Sequence, residues 1–364
     1  MESDLIHINK WLTPLSWLYG ACTEVRNVLF DLGILRSRKF PIPIINVGNI
    51  TVGGTGKTPH VEYLVRLLSQ RYRVAVLSRG YKRKSHGYLL ASESSTPAEI
   101  GDEPWQIKHK FPHIHVAVDS NRCRGIRHLM EDDSTKGVEV VLLDDAFQHR
   151  HVCPGLNILL TDYHRILTDD CLLPAGRLRE SADGRYRADV IVVTKCPNNL
   201  SPMEYRVIQE GLKPKPYQQM FFSSLTYNKQ IQGVFAPKRL PLSCLKEYHV
   251  LLVTGIGSPE QMRRDIHPYA CSMKVRSYPD HHNFSPDDIA AIQTDIQSLP
   301  LPHIILTTEK DAVRLRSMDE AASPLKEKLY FLPIEVSFMR NATNTFNDKI
   351  DQYVRENSKH RSMA

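Results

Sequence analysis

The chain has 364 residues, of which 41% are hydrophobic and 24% charged, enough for two domains or one large one. This composition excludes disordered, collagen-like and coiled-coil proteins. Lys and Arg outnumber Asp and Glu by 47 to 40, and the formal charge of +7 favours contact with phosphates or an anionic surface. The 7 cysteines include no C-x-x-C pair, which argues against a zinc site or a disulfide framework and fits a reducing compartment.

An amphipathic helix is predicted near the N-terminus, with Thr13 as N-cap and Pro14 as the first helical residue. Its apolar residues recur at spacings of three and four and form one stripe: Leu15, Leu18, Cys22, Val25, Leu29 and Leu32. Aromatic residues surround its start and cations follow its end: Trp11, Trp17, Tyr19, Arg36, Arg38 and Lys39. Its uncharged run is too short to span a bilayer. The residues alone fit equally a helix packed on the protein's own core and one lying on a lipid surface.

From residue 41 onward, short β-branched segments alternate with helical ones. The predicted strands are Ile42–Val47, Val74–Leu77, His115–Val118, Val138–Leu143, Leu156–Leu160, Val190–Thr194, His249–Thr254, His303–Thr307 and Tyr330–Val336. This alternation predicts an α/β fold with a buried parallel sheet flanked by helices. Prolines concentrate in Cys196–Gln219 and predict a domain boundary there. Met220–Pro241 fits a strand pair or an irregular connector, and Asn347–Glu356 fits a C-terminal helix.

The strongest chemical signal is GNITVGGTGKTP at 48–59, which follows a predicted strand and opens a predicted helix. Backbone amides at such glycines converge on phosphate oxygens, and the helix N-terminus favours the negative charge. The predicted nucleotide-binding residues are Thr51, Val52, Gly53, Gly54, Thr55, Gly56, Lys57 and Thr58. We expect Lys57 to contact the β- and γ-phosphates and Thr58 to ligate Mg²⁺. Thr51 stands where the generic pattern has Gly, but the context and the intact Gly-Lys-Thr still identify a P-loop.

A P-loop requires an acidic metal partner at the end of a hydrophobic strand. The apolar run at 138–143 ends in Asp144 and Asp145, either of which can hold Mg²⁺ directly or through water. Guanine specificity usually requires Asn-Lys-x-Asp, but the comparable strand end is TKCP at 194–197, with Pro in place of Asp. This difference disfavours a GTPase.

Other polar clusters lie at predicted strand ends or in the C-terminal half. They are SRGYKRK at 78–84, GDEP at 101–104, DAFQHR at 145–150, LLPAGRLRE at 172–180 and DHHNF at 280–284. Separately, each is compatible with a solvated face, helix-terminal acids or loop histidines. Together they contain the parts needed for phosphoryl transfer to a hydroxyl: metal acids, cations for an anionic acceptor and a carboxylate–histidine pair that takes the proton.

This set of motifs, with TTEKDAVR at 307–314, resembles the tetraacyldisaccharide 4′-kinase family of the bacterial lipid A pathway. The similarity extends from the N-terminal helix to about Arg314; Thr51 is usual in this family, and Ala146 stands where Gly is often found. It implies transfer of the γ-phosphoryl group of ATP to the 4′-hydroxyl of a lipid A disaccharide 1-phosphate, with ATP and Mg²⁺ as cofactors. It also implies a peripheral or monotopic protein on the cytoplasmic face of the inner membrane, which favours membrane association of the N-terminal helix.

The resemblance further suggests roles for individual residues. Asp102 matches the catalytic carboxylate and His281 the histidine that partners it. Residues matching the phosphate and metal ligands are Lys57, Thr58, Glu103, Asp144 and Asp145. Candidates for binding the acceptor or the ATP phosphates are Arg79, Tyr81, Gln148, Arg177 and Arg179. No nucleic acid and no obligate protein partner are expected.

The predicted organisation is a membrane-associated helix at 1–38, a P-loop domain at 39–215, a smaller α/β domain with its connector at 216–340, and a helix and tail at 341–364. Because Asp102 and His281 fall in different domains, we expect the pair to assemble when the domains close. One alternative is a P-loop kinase or ligase for a soluble acid or vitamin precursor, which needs no apolar N-terminus. Another is a nucleotide-dependent membrane scaffold that binds ATP without transferring phosphate.

Overall fold

Two β-sheets organise the chain in the computed structural model, which describes residues 8–255, 259–279, 282–316, 318 and 322–359. The strands are β1 Ile44–Gly48, β2 Val74–Ser78, β3 Leu89–Leu90, β4 His115–Val118, β5 Val140–Asp144, β6 Leu156–Asp162, β7 Val190–Thr194, β8 Gln219–Tyr227, β9 Gln230–Gly233, β10 Arg239–Pro241, β11 His249–Thr254, β12 Ser272–Ser277, β13 His303–Thr308, β14 Leu329–Leu332 and β15 Ile334–Phe338. The helices are α1 Thr13–Asp31, α2 Lys57–Leu68, α3 Pro97–Ile100, α4 Asp102–Lys110, α5 Arg122–Glu131, α6 Pro202–Leu212, α7 Pro259–Ile266, α8 Pro286–Gln297, α9 Glu309–Arg316 and α10 Thr343–Lys359.

The first sheet has the strand order β15-β8-β7-β6-β1-β5-β2-β4-β3 among the described residues. Its strands from β8 to β4 are parallel, and β15 and β3 are antiparallel edges. The central strands β1, β2, β5 and β7 are buried along their whole length, as expected for a parallel sheet covered by helices on both faces. After β1 the chain runs to β2 on one side of this strand, and after β5 it crosses to β6 on the other side. The carboxyl end of β1 is therefore a topological switch point, the place where α/β proteins bind ligands.

The second sheet has the order β10-β9-β14-β13-β11-β12, in which the last four strands are parallel. Its cores, which include Leu251, Ile292 and Ile305 on one face and Val250 and Leu306 on the other, are separate from those of the first sheet. The edge strand β12 was not predicted because its polar and half-exposed residues form no apolar run. The α/β architecture with a second, smaller sheet is therefore confirmed.

The segment predicted as a domain boundary, Cys196–Gln219, contains α6 and leads into β8, which pairs in parallel with β7 in the first sheet. Its prolines are consistent with this, because Pro202 occupies the first turn of α6, where proline is favoured, after the N-cap Ser201. The predicted division after residue 215 thus differs from the sheet pairing, which keeps β8 with the P-loop sheet.

The predicted strand Tyr330–Val336 is wrong as a single element. It is divided at Pro333 into β14 of the second sheet and β15, which pairs with β8 in the first. Helix α10 then packs on the first sheet, and the Tyr353 hydroxyl donates to the Ile44 carbonyl and accepts from the Ile44 amide. An apolar run predicts a strand, but its partner strand depends on pairing between distant segments.

Helix α1 is attached through its polar side. Ser16 is buried and its hydroxyl donates to the Leu172 carbonyl at 3.0 Å, while the Tyr19 hydroxyl donates to the Arg179 carbonyl at 2.8 Å. The predicted apolar stripe faces away from the protein: Leu18 is 65% and Leu32 69% exposed. Packing of this stripe on the protein's own core is therefore excluded. Within the described ranges, the chain contains no helix with the length and apolarity required to cross a membrane.

Helices α4 and α9 join the two sheets through buried charges. Lys110 at the end of α4 contacts Glu62 of α2 and Glu309 of α9, both at 2.6 Å. Burial raises the pKa of Glu62 to about 7, and the nearby negative charge of Glu309 contributes in the same direction. The carboxyl group of Glu62 at this interface therefore ionises at a higher pH than that of an ordinary glutamate.

Replacing this group, in the variant Glu62→Gln, is expected to reduce the loss of stability between pH 5 and pH 8. The folded-state pKa of Glu62, about 7, lies above its ordinary value of 4.5, so the unfolded chain releases the proton first and stability falls as the pH rises. At ~1.4 kcal/mol per pKa unit the effect is about 3 kcal/mol at most. Urea unfolding at both pH values measures it, with Glu210→Gln at an exposed position of α6 as control. Equal pH dependence in parent and Glu62→Gln would contradict this assignment.

Candidate active site

The P-loop connects β1 to α2 at the switch point. Gly53 and Gly56 have φ angles of +119° and +80°, which L-residues with side chains rarely adopt. Helix α2 begins at Lys57, so the loop ends on free amides at a helix N-terminus, a favourable position for phosphate. Thr51 instead lies in an antiparallel bridge with Leu178, and this position therefore does not require glycine.

The loop is held in place by neighbouring segments. The Val52 amide donates to the Arg177 carbonyl at 2.7 Å. Across the loop, Asn49 Nδ2 donates to Thr55 Oγ1 at 2.7 Å, and the Thr194 hydroxyl at the end of β7 donates to the Thr55 carbonyl at 2.9 Å. These contacts pre-organise the loop before any nucleotide binds.

Charged side chains from three predicted motifs meet beside the loop. Lys57 Nζ lies 3.7 Å from Asp145 Oδ1, and Arg179 Nη1 lies 3.1 Å from Asp145 Oδ2. Arg179 Nη1 also donates to Gln148 Oε1 at 3.3 Å. Asp145 has a φ of +51°, an uncommon backbone conformation that Asp tolerates better than most residues. The structure therefore brings Lys57, Asp145, Gln148 and Arg179 together.

Asp144, at the end of β5, is buried next to this cluster. Its Oδ2 accepts a hydrogen bond from the Ser78 hydroxyl at 3.1 Å, while its buried Oδ1 has no hydrogen-bond partner in the described part of the chain. Burial raises the pKa of Asp144 to about 7, and the negative charges of Glu103 and Asp145 raise it further than Lys57 lowers it. The positive charge near Asp144 is thus too small to stabilise its ionised form, and a divalent cation would supply what is missing.

The oxygen donors around Asp144 fit Mg²⁺. This ion is usually held by one or two carboxylates together with substrate phosphates and water, rather than by an all-protein cage. Accordingly, the described residues contain no group of three or more His, Cys, Asp or Glu side chains placed to enclose a metal. Thr58, the predicted hydroxyl ligand, lies in the first turn of α2, beside Lys57.

Arg122, which belongs to none of the predicted motifs, stabilises the backbone next to the acidic pair. It is 2% exposed, and its guanidinium donates to the carbonyls of Asp144 at 3.1 Å and Asp119 at 3.0 Å. Asp119 directly follows β4, so the polar run after this apolar strand is the signal in the sequence that could have indicated this region. Because Arg122 binds main-chain carbonyls, it fixes the backbone that carries the carboxylates.

Glu180 ends the LPAGRLRE motif and is fully buried. Its Oε1 accepts from Gln148 at 3.0 Å and its Oε2 accepts from Arg187 at 2.7 Å. Gln148 also donates to the Asn49 carbonyl at 2.8 Å. This arrangement connects the motif to the strand end that carries the P-loop, a structural role that the motif alone did not indicate.

The loop after β2 carries two further predicted residues, Arg79 and Tyr81, both exposed. Arg79 is near enough to His149 to contribute, after burial and Arg122, to lowering the pKa of that histidine to about 4. The loop packs on Gly101, whose φ is +93° and where a Cβ would lie 3.2 Å from the Tyr81 carbonyl oxygen. Arg177 is exposed on the other side of the site, next to Gly53.

Asp102 is the first residue of α4 and contacts α9, which packs on the second sheet. Its Oδ2 accepts a hydrogen bond from Arg314 Nε at 3.0 Å, and Arg314 belongs to α9. Glu103 follows and is the carboxylate that helps raise the pKa of Asp144. His281, the predicted partner of Asp102, lies outside the described residues. Among the described residues, Arg314 therefore connects Asp102 to the helix layer of the second sheet.

A P-loop at the switch point of a parallel sheet, with an aspartate pair at the end of the adjacent strand, defines a nucleotide-binding protein of the P-loop NTPase class. The sequence profile of LpxK, tetraacyldisaccharide-1-P 4′-kinase, matches residues 8–355. The chain therefore belongs to the LpxK family.

Known proteins that resemble the chain agree with this assignment. The tetraacyldisaccharide 4′-kinase of Phocaeicola vulgatus is 50% identical over 366 residues, covering 100% of both chains. That of Bacteroides thetaiotaomicron is 50% identical and covers 100% of this chain and 98% of its own. The structure of LpxK from Aquifex aeolicus in complex with ATP has a TM-score of 0.74 and 32% identity, over 95% of this chain and 99% of its own. The predicted family, fold class and ATP-dependent kinase activity in lipid A biosynthesis are confirmed.

Proposed function

We propose that the chain binds ATP on the P-loop and transfers its γ-phosphoryl group to the 4′-hydroxyl of a membrane-borne lipid A disaccharide 1-phosphate. The observation that carries the site assignment is the cluster of Lys57, Asp145 and Arg179 beside the unpartnered oxygen of Asp144. Two cations and two acids at the end of a phosphate-binding loop are the parts that phosphoryl transfer requires.

In this mechanism Asp102 accepts the proton of the 4′-hydroxyl. The hydroxyl oxygen bonds to the γ-phosphorus as the bond between that phosphorus and the β,γ-bridging oxygen breaks, and ADP leaves. The P-loop amides and Lys57 hold the phosphates and offset the negative charge that develops on the leaving oxygen. Arg179 keeps Asp145 oriented beside Lys57.

Thr58, Glu103, Asp144 and Asp145 would hold Mg²⁺, which when bound neutralises phosphate charge. Arg122 keeps the backbone at Asp144 in place. We assign Arg177, beside Gly53, to the ATP phosphates. We assign Arg79 with Tyr81 to the anionic acceptor, because these two exposed residues follow β2, the strand that pairs with β5 and its acidic end. Arg179 acts on Asp145, and Gln148 accepts a hydrogen bond from Arg179, so we assign neither of them to the acceptor.

The reaction is tested with γ-labelled ATP, Mg²⁺ and a lipid A precursor that has a free 4′-hydroxyl, presented in detergent micelles. Label in the lipid is the expected result. Label transferred only to an added soluble acid or alcohol would identify a kinase for soluble substrates, and ATP binding without labelled lipid would identify a nucleotide-dependent scaffold. Either of these outcomes would contradict the proposed acceptor.

We further propose that α1 rests on the cytoplasmic face of the inner membrane. Trp17, on α1, is 72% exposed, and Trp11, in the turn just before α1, is 93% exposed. The apolar stripe of α1 also faces away from the protein. Aromatic rings at headgroup depth and leucines beneath them are typical of interfacial helices. The cations that follow α1 complement anionic lipid.

The double variant Trp17→Ser, Leu18→Ser is expected to weaken binding to anionic phospholipid vesicles by about tenfold or more. Burying each large apolar side chain contributes roughly 1.5–3 kcal/mol, and each 1.4 kcal/mol is a factor of ten. Vesicle flotation measures the bound fraction. The matched control is Met203→Ser, Val207→Ser, which removes two exposed apolar residues from α6. Equal binding of both double variants would refute the proposed membrane face.

A further inference from the structure

We propose that Arg314 is a positioning residue for phosphoryl transfer: it holds the Asp102 carboxylate in the orientation in which it accepts the acceptor's proton, and does so only while the two domains are docked. The inference rests on the proposed function, because it takes Asp102 as the proton acceptor. The observation behind it is the 3.0 Å hydrogen bond from Arg314 Nε to Asp102 Oδ2.

Arg314 is held rigidly by its own domain. Its side chain is only 5% exposed, and its Nη1 donates to Oδ1 of the fully buried Asp311 at 3.3 Å. Asp311 Oδ2 in turn accepts from the Gly255 amide at 2.8 Å and from the Thr308 hydroxyl at 2.7 Å. A guanidinium fixed in this way can hold a partner carboxylate in one orientation.

Asp102, by contrast, is about one-third exposed and begins a helix, so its own domain leaves it freedom to rotate. The bond to Arg314 engages Oδ2 and thereby sets the plane of the carboxylate. We assign proton acceptance to Oδ1. Because general-base catalysis requires a heavy-atom approach of about 2.6–3.2 Å, loss of this orientation lowers the rate even when the carboxylate is still present.

The contact depends on the docking of α9 on α4. The two helices are antiparallel: Arg314 meets Asp102 at the start of α4, and Glu309 meets Lys110 at its end. Both ion pairs connect the domains, but only the first includes Asp102. Lys110 therefore offers a matched control that removes an ion pair across the same interface without removing a bond to the proton acceptor.

The test compares Arg314→Met, Arg314→Lys, Asp102→Asn, the double variant Asp102→Asn/Arg314→Met and the control Lys110→Met. Phosphoryl transfer is measured with ATP, Mg²⁺ and the lipid acceptor in micelles. We expect Arg314→Met to lower kcat by about 10–100-fold while KM for ATP changes by less than about twofold. Arg314→Lys should recover part of the loss, and Lys110→Met should stay within about threefold of the parent.

The double variant provides the decisive comparison. If Arg314 acts through Asp102, Asp102→Asn/Arg314→Met is no slower than Asp102→Asn alone. Should Arg314→Met not fold, the same cycle is built with Arg314→Lys.

Three results would overturn the positioning role: Arg314→Met within about threefold of the parent, equal losses in Arg314→Met and Lys110→Met, or multiplicative losses in the double variant. If instead Asp102→Asn alone lost less than about tenfold, the proposed role of Asp102 would fail, independently of Arg314.

Discussion

Asp102→Asn is expected to lower kcat by about 10²–10⁴-fold, the usual contribution of a positioned general base. The amide retains the size of the side chain and a polar contact with Arg314 but cannot take the proton of the acceptor hydroxyl. The affinity for ATP should change little, because Asp102 lies at the start of α4 and not in the P-loop. Single-turnover transfer from labelled ATP to the lipid measures the step directly.

The control for this variant is Asp287→Asn. Asp287 is likewise an acid in the first turn of a helix, α8, but it is exposed and has no part in the site. Its rate should match that of the parent. A loss below about tenfold in Asp102→Asn would show that Asp102 is not the base.

Lys57→Met is expected to reduce phosphoryl transfer by about 10²–10³-fold, the range seen when one group that stabilises developing charge is removed. Lys57 is nearly buried and lies 3.7 Å from Asp145, so its removal also leaves the acidic pair with less positive charge. The effect should therefore appear in both ATP affinity and kcat, unlike that of Asp102→Asn. ATP binding and single-turnover transfer, measured on the same preparations, separate the two.

Lys246→Met, at an exposed position in the second domain, serves as the control and should behave like the parent. If Lys57→Met transferred phosphate at the parental rate, the P-loop would not be the site of catalysis. The two substitutions thus test different halves of the reaction: Lys57 tests the phosphate donor and Asp102 the activation of the acceptor.

The P-loop and the acidic strand end could be predicted because each depends on a short contiguous segment. The sequence from Gly48 to Pro59 specifies a strand, a glycine-rich turn and a helix start, and the same residues contact the phosphate. Asp144 and Asp145 follow an apolar strand directly, and parallel pairing of β5 with β1 brings them to the P-loop. In both cases the residues that would contact the ligand belong to the same short segment that specifies the local fold.

Supporting residues could not be predicted in the same way. Arg122, Glu180 and Arg314 each contact a group that lies 22 to 212 positions away in the chain, in addition to nearer partners. In each case the side chain neutralises or orients a group from another motif. A charged residue in a motif indicates that charge is needed, but its partner follows only from the packing of sheets and helices.

The N-terminal helix shows this limit most clearly. Its period of three and four residues predicted both the helix and the apolar stripe, but burial of the stripe against the core and exposure to lipid give the same pattern. Polar contacts made by Ser16 and Tyr19 with the segment 172–179 turn the stripe outward. Only the tertiary contacts could decide which face the protein covers.

The sequence by itself therefore determined the fold class, the P-loop, the acidic pair and the kinase family, because these depend on local patterns of polarity and conformation. The tertiary structure decided which sheet receives β8 and β15, which face of α1 is exposed, and which second-domain side chain reaches Asp102. Strand pairing, burial and ion pairing act between segments far apart in the chain, and no local pattern encodes the choice of partner.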